Sequence, residues 1–478
     1  MGSALGKSYD AVVIGAGPNG LAAAIALAQA GRSVLVREAN ATVGGSCRSE
    51  ELTLPGFIHD TCSTIQALAV VSPFLRSLPL AEHGVELLFP KAHYAQPLDD
   101  GTAAVAYSSL EETAATLGRD GNAWKGLYGP IVRDWEKLVP ELLGPFNPLP
   151  RHPFAMASFG LKALRSARGL AHTWFDGEHA KGLFAGVAAH SIAPLEWMGT
   201  SAFGLVLGAS AHVGGWPVVR GGSQKLADAL ASILRSLGGD IELQARVESL
   251  DELPPAKAIL CDVTARQLLK LAGPRLPEGY RKHLQKFRYG PGVHKVDWAL
   301  SEPIPWKAAA CRHAGTVHLG GTFDEVATSE QGPWEQRYAE KPFVLLVQYP
   351  FDPSRAPAGK HVAWAYCHVP HGGDLDVTDR IERQVERFAP GFKDTILARH
   401  VMGPAAMERH NANLVGGDIT GGANMLSQIF TRPAPRVNPY KTPVKGLYLC
   451  STSTPPGGGV HGMSGYHAAK TALRDVLR

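Results

Sequence analysis

Apolar and polar positions along the chain follow two periods, and the switches between them mark the elements. Val12–Ile14 is a short apolar run closed by glycine, the pattern of a strand buried on both faces. Leu21–Ala30 is an alanine-rich stretch that predicts a helix, and Ser33–Val36 predicts a second strand ending at Arg37 and Glu38. Farther on, Gly221–Leu237 carries Leu226, Leu230, Ile233, Leu234 and Leu237 at helical spacing. Strands are expected at Ile241–Val247 and Ala258–Asp262. Near the end, Gly446–Cys450 reads as a buried strand and about Met463 to Leu477 as a helix. The segments between differ in character. Phe89–Tyr107 alternates around Asp100-Gly101, a hairpin signal, and Ser109–Leu117 predicts a helix with Glu111 and Glu112 in its first turn. Helices are expected at Ala123–Leu143 and Phe159–His172, parted by a loop with Pro145, Pro148, Pro150 and Pro153. Residues 293–300 and 343–350 predict strands of a second sheet.

The joint between the first strand and helix carries candidate chemistry. VVIGAGPNG places Gly15, Gly17 and Gly20 in GxGxxG spacing, with Pro18 and Asn19 inside the turn. Such glycines serve a tight turn, close backbone approach to a pyrophosphate and close helix–strand packing. The helix start offers free N–H groups and a positive dipole end to phosphates. Glu38, followed by Ala39, stands roughly twenty residues on, where a carboxylate receives ribose hydroxyls. The order strand, glycine turn, helix, strand, acid predicts dinucleotide binding. Gly44, Gly45 and Ser46 then form a second glycine turn with Arg48 beside it. A nicotinamide dehydrogenase has no need of this extension, whereas an extended flavin dinucleotide uses a second turn and a nearby cation.

With these residues the sequence resembles the FAD-dependent amine oxidase and phytoene desaturase superfamily. Its ending, from Pro455 through Gly457, Gly458, Gly459, Val460, His461, Gly462 and Met463, resembles the PGGGVxGMxGY ending of phytoene-desaturase-like flavoproteins, particularly the branch called pyridine nucleotide-disulphide oxidoreductase domain-containing proteins. The resemblance covers both ends of the chain closely and the middle loosely. It implies FAD as cofactor and an α/β fold. That fold has a discontinuous Rossmann-like FAD-binding domain (1–75, 215–285 and 436–478) and an α+β substrate domain with a mixed sheet and helices (76–214 and 286–435). It also implies adenine contact by the backbone at Val247, where a plain sheet residue is the alternative. Gly458, Gly459 and Val460 would let backbone lie against a flat ring, and the helix from Met463 would aim its positive end there. Where many relatives carry Gly-Asp after the last strand, Ser451 and Thr452 stand instead, so hydroxyls or backbone replace a carboxylate contact.

The same resemblance suggests C–C desaturation of a largely apolar or lipid-like substrate by hydride transfer to flavin N5. Lys295, in VHKVDWAL, resembles the amine-oxidase lysine that faces N5 through a water, which makes amine oxidation the alternative. Lys295 and Asp297 also share a strand face and are able to form an ion pair. Redox-neutral isomerisation of a double bond and a non-catalytic flavin-bound scaffold complete the alternatives. His59, beside Asp60 in GFIHDT, resembles a desaturase stretch lining the flavin, without its final glycine; a buried satisfied pair is the other reading. His461 is a candidate for substrate or flavin contact, or a histidine that satisfies its loop.

Composition narrows the classes. The chain has 478 residues, 45% hydrophobic and 19% charged, with net charge +4, which suits two or three domain-sized units. With no dense basic stripe, no nucleic-acid partner is expected. The six cysteines are scattered without CxxC, and the histidines show no HxxxH or HExxH spacing, so free thiols in a reducing compartment and no metal are expected. A short polar lead, Met1–Tyr9, and the lack of a long apolar run predict a cytoplasmic protein. Ala155–Ala171 mixes Phe159, Leu161, Leu164 and Leu170 with Lys162, Arg165 and Arg168, a basic amphipathic helix compatible with peripheral membrane contact as well as with a solvated face. No second GxGxxG and no CxxxxC pair accompany the flavin motif. Electrons would therefore leave to oxygen, a quinone or another acceptor, or cycle without net redox. Oligomeric state has no sequence signal.

Overall fold

A computed structural model describes residues 7–478, so most of the polar lead lies outside the described residues. The opening, middle and closing pieces of the chain meet in one five-stranded sheet. Its order is Leu447–Leu449, Ala256–Cys261, Tyr9–Ile14, Val34–Arg37 and Asp240–Glu242, with every pair parallel. Ala11, Val12 and Val13 on the central strand are fully buried, as a strand covered on both faces requires. The helix Pro18–Ala28 starts on a proline, whose missing N–H costs nothing at a first helical position. It packs against the C-terminal helix Met463–Asp475. Gly465 allows backbone contact between them, since a Cβ there would lie 2.9 Å from the Ala23 nitrogen.

A second, seven-stranded sheet lies in the order Ile396–Met402, Gly292–Leu300, His361–Val369, Val344–Gln348, Ala314–Leu319, Ala92–Pro97 and Ala103–Ala106. All neighbours are antiparallel except Ala314–Leu319 with Ala92–Pro97. The hairpin Ala92–Pro97/Ala103–Ala106 turns at Asp100-Gly101, with Gly101 at φ 85° and Asp100 Oδ1 accepting the Thr102 N–H. The helices Glu178–Ala188 and Thr200–Val213 pack against each other, and the first of them lies against the strands of this hairpin.

Three expectations need correction. The strand expected over Ile241–Val247 ends at Glu242: Gln244 turns to φ 52°, and the chain leaves the ladder while Gln244 and Ala245 still donate to Asn40 O and Glu38 O. Ala123–Leu143 is two helices, Gly121–Arg133 and Trp135–Leu142, parted at Asp134. The stretch read as one basic amphipathic helix is also two, Pro153–Ala163 and Ala167–Trp174. Ser166 caps the second by accepting the Gly169 N–H (3.0 Å), and Ser201 Oγ sits 2.7 Å from Lys162 O and 2.8 Å from Arg165 O at the end of the first. The Ser166 hydroxyl competes locally with continuation of the helix, and Ser201 holds the end of the first helix from a distant segment. Arg168 lies in the second helix and faces Glu196 (2.9 Å) and Asp324 (2.5 Å). Among the described residues no helix is long and apolar enough to cross a membrane.

Candidate functional site

The first glycine turn sits where the parallel strands end. Gly15 lies at φ 99°, a conformation that side chains other than glycine strain to adopt. A Cβ on Gly17 would come within 2.8 Å of Asp262 Oδ2, and one on Gly20 would overlap the Gly15 carbonyl. Gly20 N–H donates to Asp262 Oδ2 (2.9 Å), and Ala16 N–H donates to Glu38 Oε2 (2.8 Å). Glu38 Oε1 accepts from the backbone and side-chain N–H groups of Asn40, so the acid is fixed at the end of its strand. Burial, with Glu38 near, lifts the Asp262 carboxyl to about 7. In the sequence Asp262 stands only as the end of a strand.

The second glycine turn folds onto the first. Gly44 N–H donates to Ala16 O (2.9 Å), and a Cβ on Gly45 would sit 3.1 Å from Gly17 Cα. Arg48 does not reach the cavity wall. Its Nε donates to Gly45 O (3.1 Å) and its Nη2 to His410 O (2.8 Å), so the cation braces the turn from behind.

A cavity of ≈1370 Å³ opens from these turns. Gly15, Gly17, Pro18 and Asn19 border it, followed by Glu38, Ala39, Gly45 and Ser46. Val247 borders it beside Glu38, and Ser451, Thr452, Gly458, Gly459, Val460 and His461 border it from the last loop. Gly20, Gly44 and Met463 lie behind this wall. His461 has both ring nitrogens committed: Nδ1 accepts the Met463 N–H (3.0 Å), and Nε2 lies 3.2 Å from Gly457 O. Burial takes its pKa down to about 4, so a neutral imidazole ties the glycine loop to the C-terminal helix. The first amide of that helix is thereby spent on His461.

Beyond the loop, the large sheet forms the cavity floor. Cross-strand register puts Lys295, Tyr366, Leu345 and His318 in one row, and Asp297, Trp364, Val347, Thr316 and Tyr94 in the next. Opposed residues share a face, and Tyr366, Leu345, Trp364, Val347 and Thr316 border the cavity. The Trp364 and Tyr366 rings stack at 5.8 Å and 16°. Lys295 is absent from the wall. Its Nζ pairs with Asp297 Oδ1 and lies 5.0 Å over the Trp364 ring. His59 lies on the far side of this pair, with Nδ1 3.6 Å from Asp297 and Nε2 2.8 Å from Thr53 Oγ1. Asp60 turns away from His59 and is held by Arg355 Nη1 (2.9 Å), Ser49 Oγ and Ser223 N–H. The sequence gives no hint of Arg355, nor of Arg432. Arg432 is a fully buried wall residue whose Nη2 reaches Gly421 O and Gly422 O while Nε has no partner. Burial brings its pKa down to about 10, so it remains charged at neutral pH.

These features suit FAD. Side chains at the three glycines would crowd Asp262 or the Gly15 carbonyl and break the tight turn, a buried cation and an unpartnered Asn19 Oδ1 face a cavity of dinucleotide size, and an acid is fixed at the second strand. Residues 13–77 match the family model for an NAD(P)-binding Rossmann-like domain. Over 99% of this chain and 94% of the relative, the protein is 28% identical to rat pyridine nucleotide-disulfide oxidoreductase domain-containing protein 2. It is 24% identical to a limonene dehydrogenase component of Castellaniella defragrans (98% and 95% covered) and 24% to a phytoene desaturase of Fusarium fujikuroi (94% and 86%). The fold is shared with an oxidoreductase from Methanosarcina mazei (TM-score 0.64, 15% identity, 97% and 99% covered) and with putrescine oxidase (TM-score 0.60, 18%, 99% and 100%). Cradle, cavity and relatives agree on an FAD-dependent oxidoreductase, similar in sequence to phytoene desaturases and sharing its fold with amine oxidases.

Proposed function

We propose that the protein removes two hydrogens across a C–C bond of a largely apolar small molecule. Bound FAD supplies the hydride acceptor, at N5. Gly15, Gly17 and Gly20, with Pro18 and Asn19, receive the pyrophosphate at the helix start. Glu38 and Ala39 hold the adenosine ribose and Val247 the adenine, while Gly44–Ser46 and Arg48 shape the second turn. Ser451 and Thr452 meet the ribityl chain, and Gly458–Val460, tied to Met463 through His461, back the ring. In this reading residues 1–75, 215–285 and 436–478 form the FAD domain, and 76–214 and 286–435 the substrate domain.

The observation that carries the apolar substrate is the cavity floor, where Trp364, Tyr366, Leu345 and Val347 follow one another without a charge open to the cavity. Phe203, Val206 and Leu207 border the cavity from the helix Thr200–Val213. A mostly apolar wall with few polar groups selects by burial and shape. Amine oxidation is the second reading, favoured by Lys295 lying against the cavity-wall Trp364. It is the weaker one because the Lys295 charge is already matched by Asp297, with His59 behind. Peripheral membrane contact belongs to the same proposal. Leu149, Phe154 and Leu161 are 84%, 90% and 78% exposed, and they flank Phe146 and Phe159 of the cavity wall. Single-turnover mixing of the oxidised holoprotein with terpenes, polyenes and amines tests the reaction. A product two hydrogens lighter with an added C=C supports desaturation, and an imine or its hydrolysed carbonyl would overturn it.

A further inference from the structure

The cavity floor changes character along its length. Along the two rows that carry it, the Lys295–Asp297 pair lies behind the wall at one end, the aromatic pair Trp364 and Tyr366 and the aliphatic pair Leu345 and Val347 border the cavity, and Thr316 borders it at the other end with His318 behind. The last strand carries buried polar groups without partners: Thr316 Oγ1 and His318 Nδ1, with Tyr94 OH on the strand beyond. His190 borders the cavity at this end, its Nε2 3.1 Å from His318 Nε2. Burial takes His190 down to about 3 and holds His318 well below its usual value, so both imidazoles are neutral. The backbone here is also strained. Ile192, a β-branched residue bordering the cavity, stands at φ 51°, and Trp334 Nε1 donates to its carbonyl (3.0 Å). Strain of this kind persists where the surroundings over-determine it, often at ligand clamps.

A buried hydroxyl is costly to leave unpaired, so the unpartnered Thr316 Oγ1 on the cavity wall, with His190 also bordering the cavity, marks where a ligand atom completes the set. Neither Thr316 nor the neutral His190 offers a charge to an ammonium or a carboxylate, and the buried Glu330 carboxylate, 2.7 Å from His368 Nδ1, does not border the cavity. We propose that the substrate carries a neutral hydrogen-bonding oxygen, a hydroxyl or carbonyl, received by Thr316 and His190 at the end of the floor remote from Lys295. This rests on the apolar-substrate reading and deepens it: the substrate is an apolar chain or ring system with one polar end, not a bare hydrocarbon. Three strand spacings separate the Lys295 strand from the His318 strand, roughly 14 Å at ~4.8 Å each. That span sets the distance from the polar oxygen to the strand of Lys295.

Decanol, decane and decylamine, presented from cyclodextrin, are matched probes, with binding to the FAD-loaded protein read as perturbation of the flavin spectrum. One added neutral hydrogen bond predicts decanol binding roughly tenfold more tightly than decane. The Thr316→Val variant, which removes the hydroxyl at constant shape, moves that ratio toward one. Equal binding of decanol and decane to the unaltered protein would overturn the inference while leaving the apolar-substrate reading standing, and so would a ratio unchanged in T316V. Tightest binding of decylamine, or no binding of either decanol or decane, would overturn both.

Discussion

Lys295→Met separates an ion pair from a catalytic lysine. Lys295 and Asp297 are 1% and 0% exposed, and the other groups near the carboxylate are His59 Nδ1 and His400 Nδ1, each 3.6 Å away. His59 is held neutral, its pKa down to about 4 through burial, so it brings no compensating charge. Removing the lysine strands a buried carboxylate, which costs about 3–5 kcal/mol. Exchanging both partners, in Lys295→Met/Asp297→Asn, leaves neither charge and is expected within ~1 kcal/mol of the parent. The pH dependence has a definite sign. Asp297 lies below its usual carboxyl range despite burial, owing to Lys295, so the pair's contribution is present above that range and fades as pH falls through the lowered value. The gap between the parent and Lys295→Met therefore narrows in acid. Urea unfolding of the parent, both single variants and the double variant reads the coupling directly, and reoxidation of the reduced flavin by oxygen is followed in parallel. A Lys295→Met protein as stable as the double variant, with slowed reoxidation, would refute the ion-pair account and restore Lys295 to the flavin.

Other outcomes follow from the cradle. Gly20→Ala pushes a Cβ into the Gly15 carbonyl, so the purified variant should lose bound flavin while keeping its far-ultraviolet spectrum. Asp262 titrates near 7 beside the Gly20 N–H; its charged form repels a pyrophosphate, so FAD affinity should fall as pH rises through about 7, by at most about tenfold per unit. Asp262→Asn should flatten that profile in equilibrium dialysis. The same raised pKa makes the apoprotein's stability from this group greatest in acid and lost as pH rises through about 7. His461→Phe keeps the ring but deletes both backbone ties, so FAD should dissociate faster, by roughly tenfold for one to two lost hydrogen bonds.

The nucleotide half of the fold was legible because its signals are local. GxGxxG, the alanine-rich helix and the short apolar strands each fit within a few residues, and the three pieces share one parallel sheet. The break at Ser166 had a local signal too, a serine cap, but the stronger basic amphipathic pattern masked it. The substrate side was not legible. Its floor depends on register between strands far apart in sequence, such as Thr316 with Tyr94 and Val347 with Trp364, and periodicity fixes faces, not partners. Asp262 could have been noticed as an acid closing a buried strand beside the glycine turn. Arg355 has one local partner, Asp352 three residues before it, but its bond to Asp60 comes only with folding, as do the carbonyls that Arg432 meets.

Anaerobic titration of the purified holoprotein, followed through the visible flavin band, tests the central claim most directly. The account predicts a flavin band that an apolar, oxygen-bearing olefin or terpenoid bleaches and amines leave intact. Bleaching by amines alone, or no flavin band even after FAD is added, would contradict it.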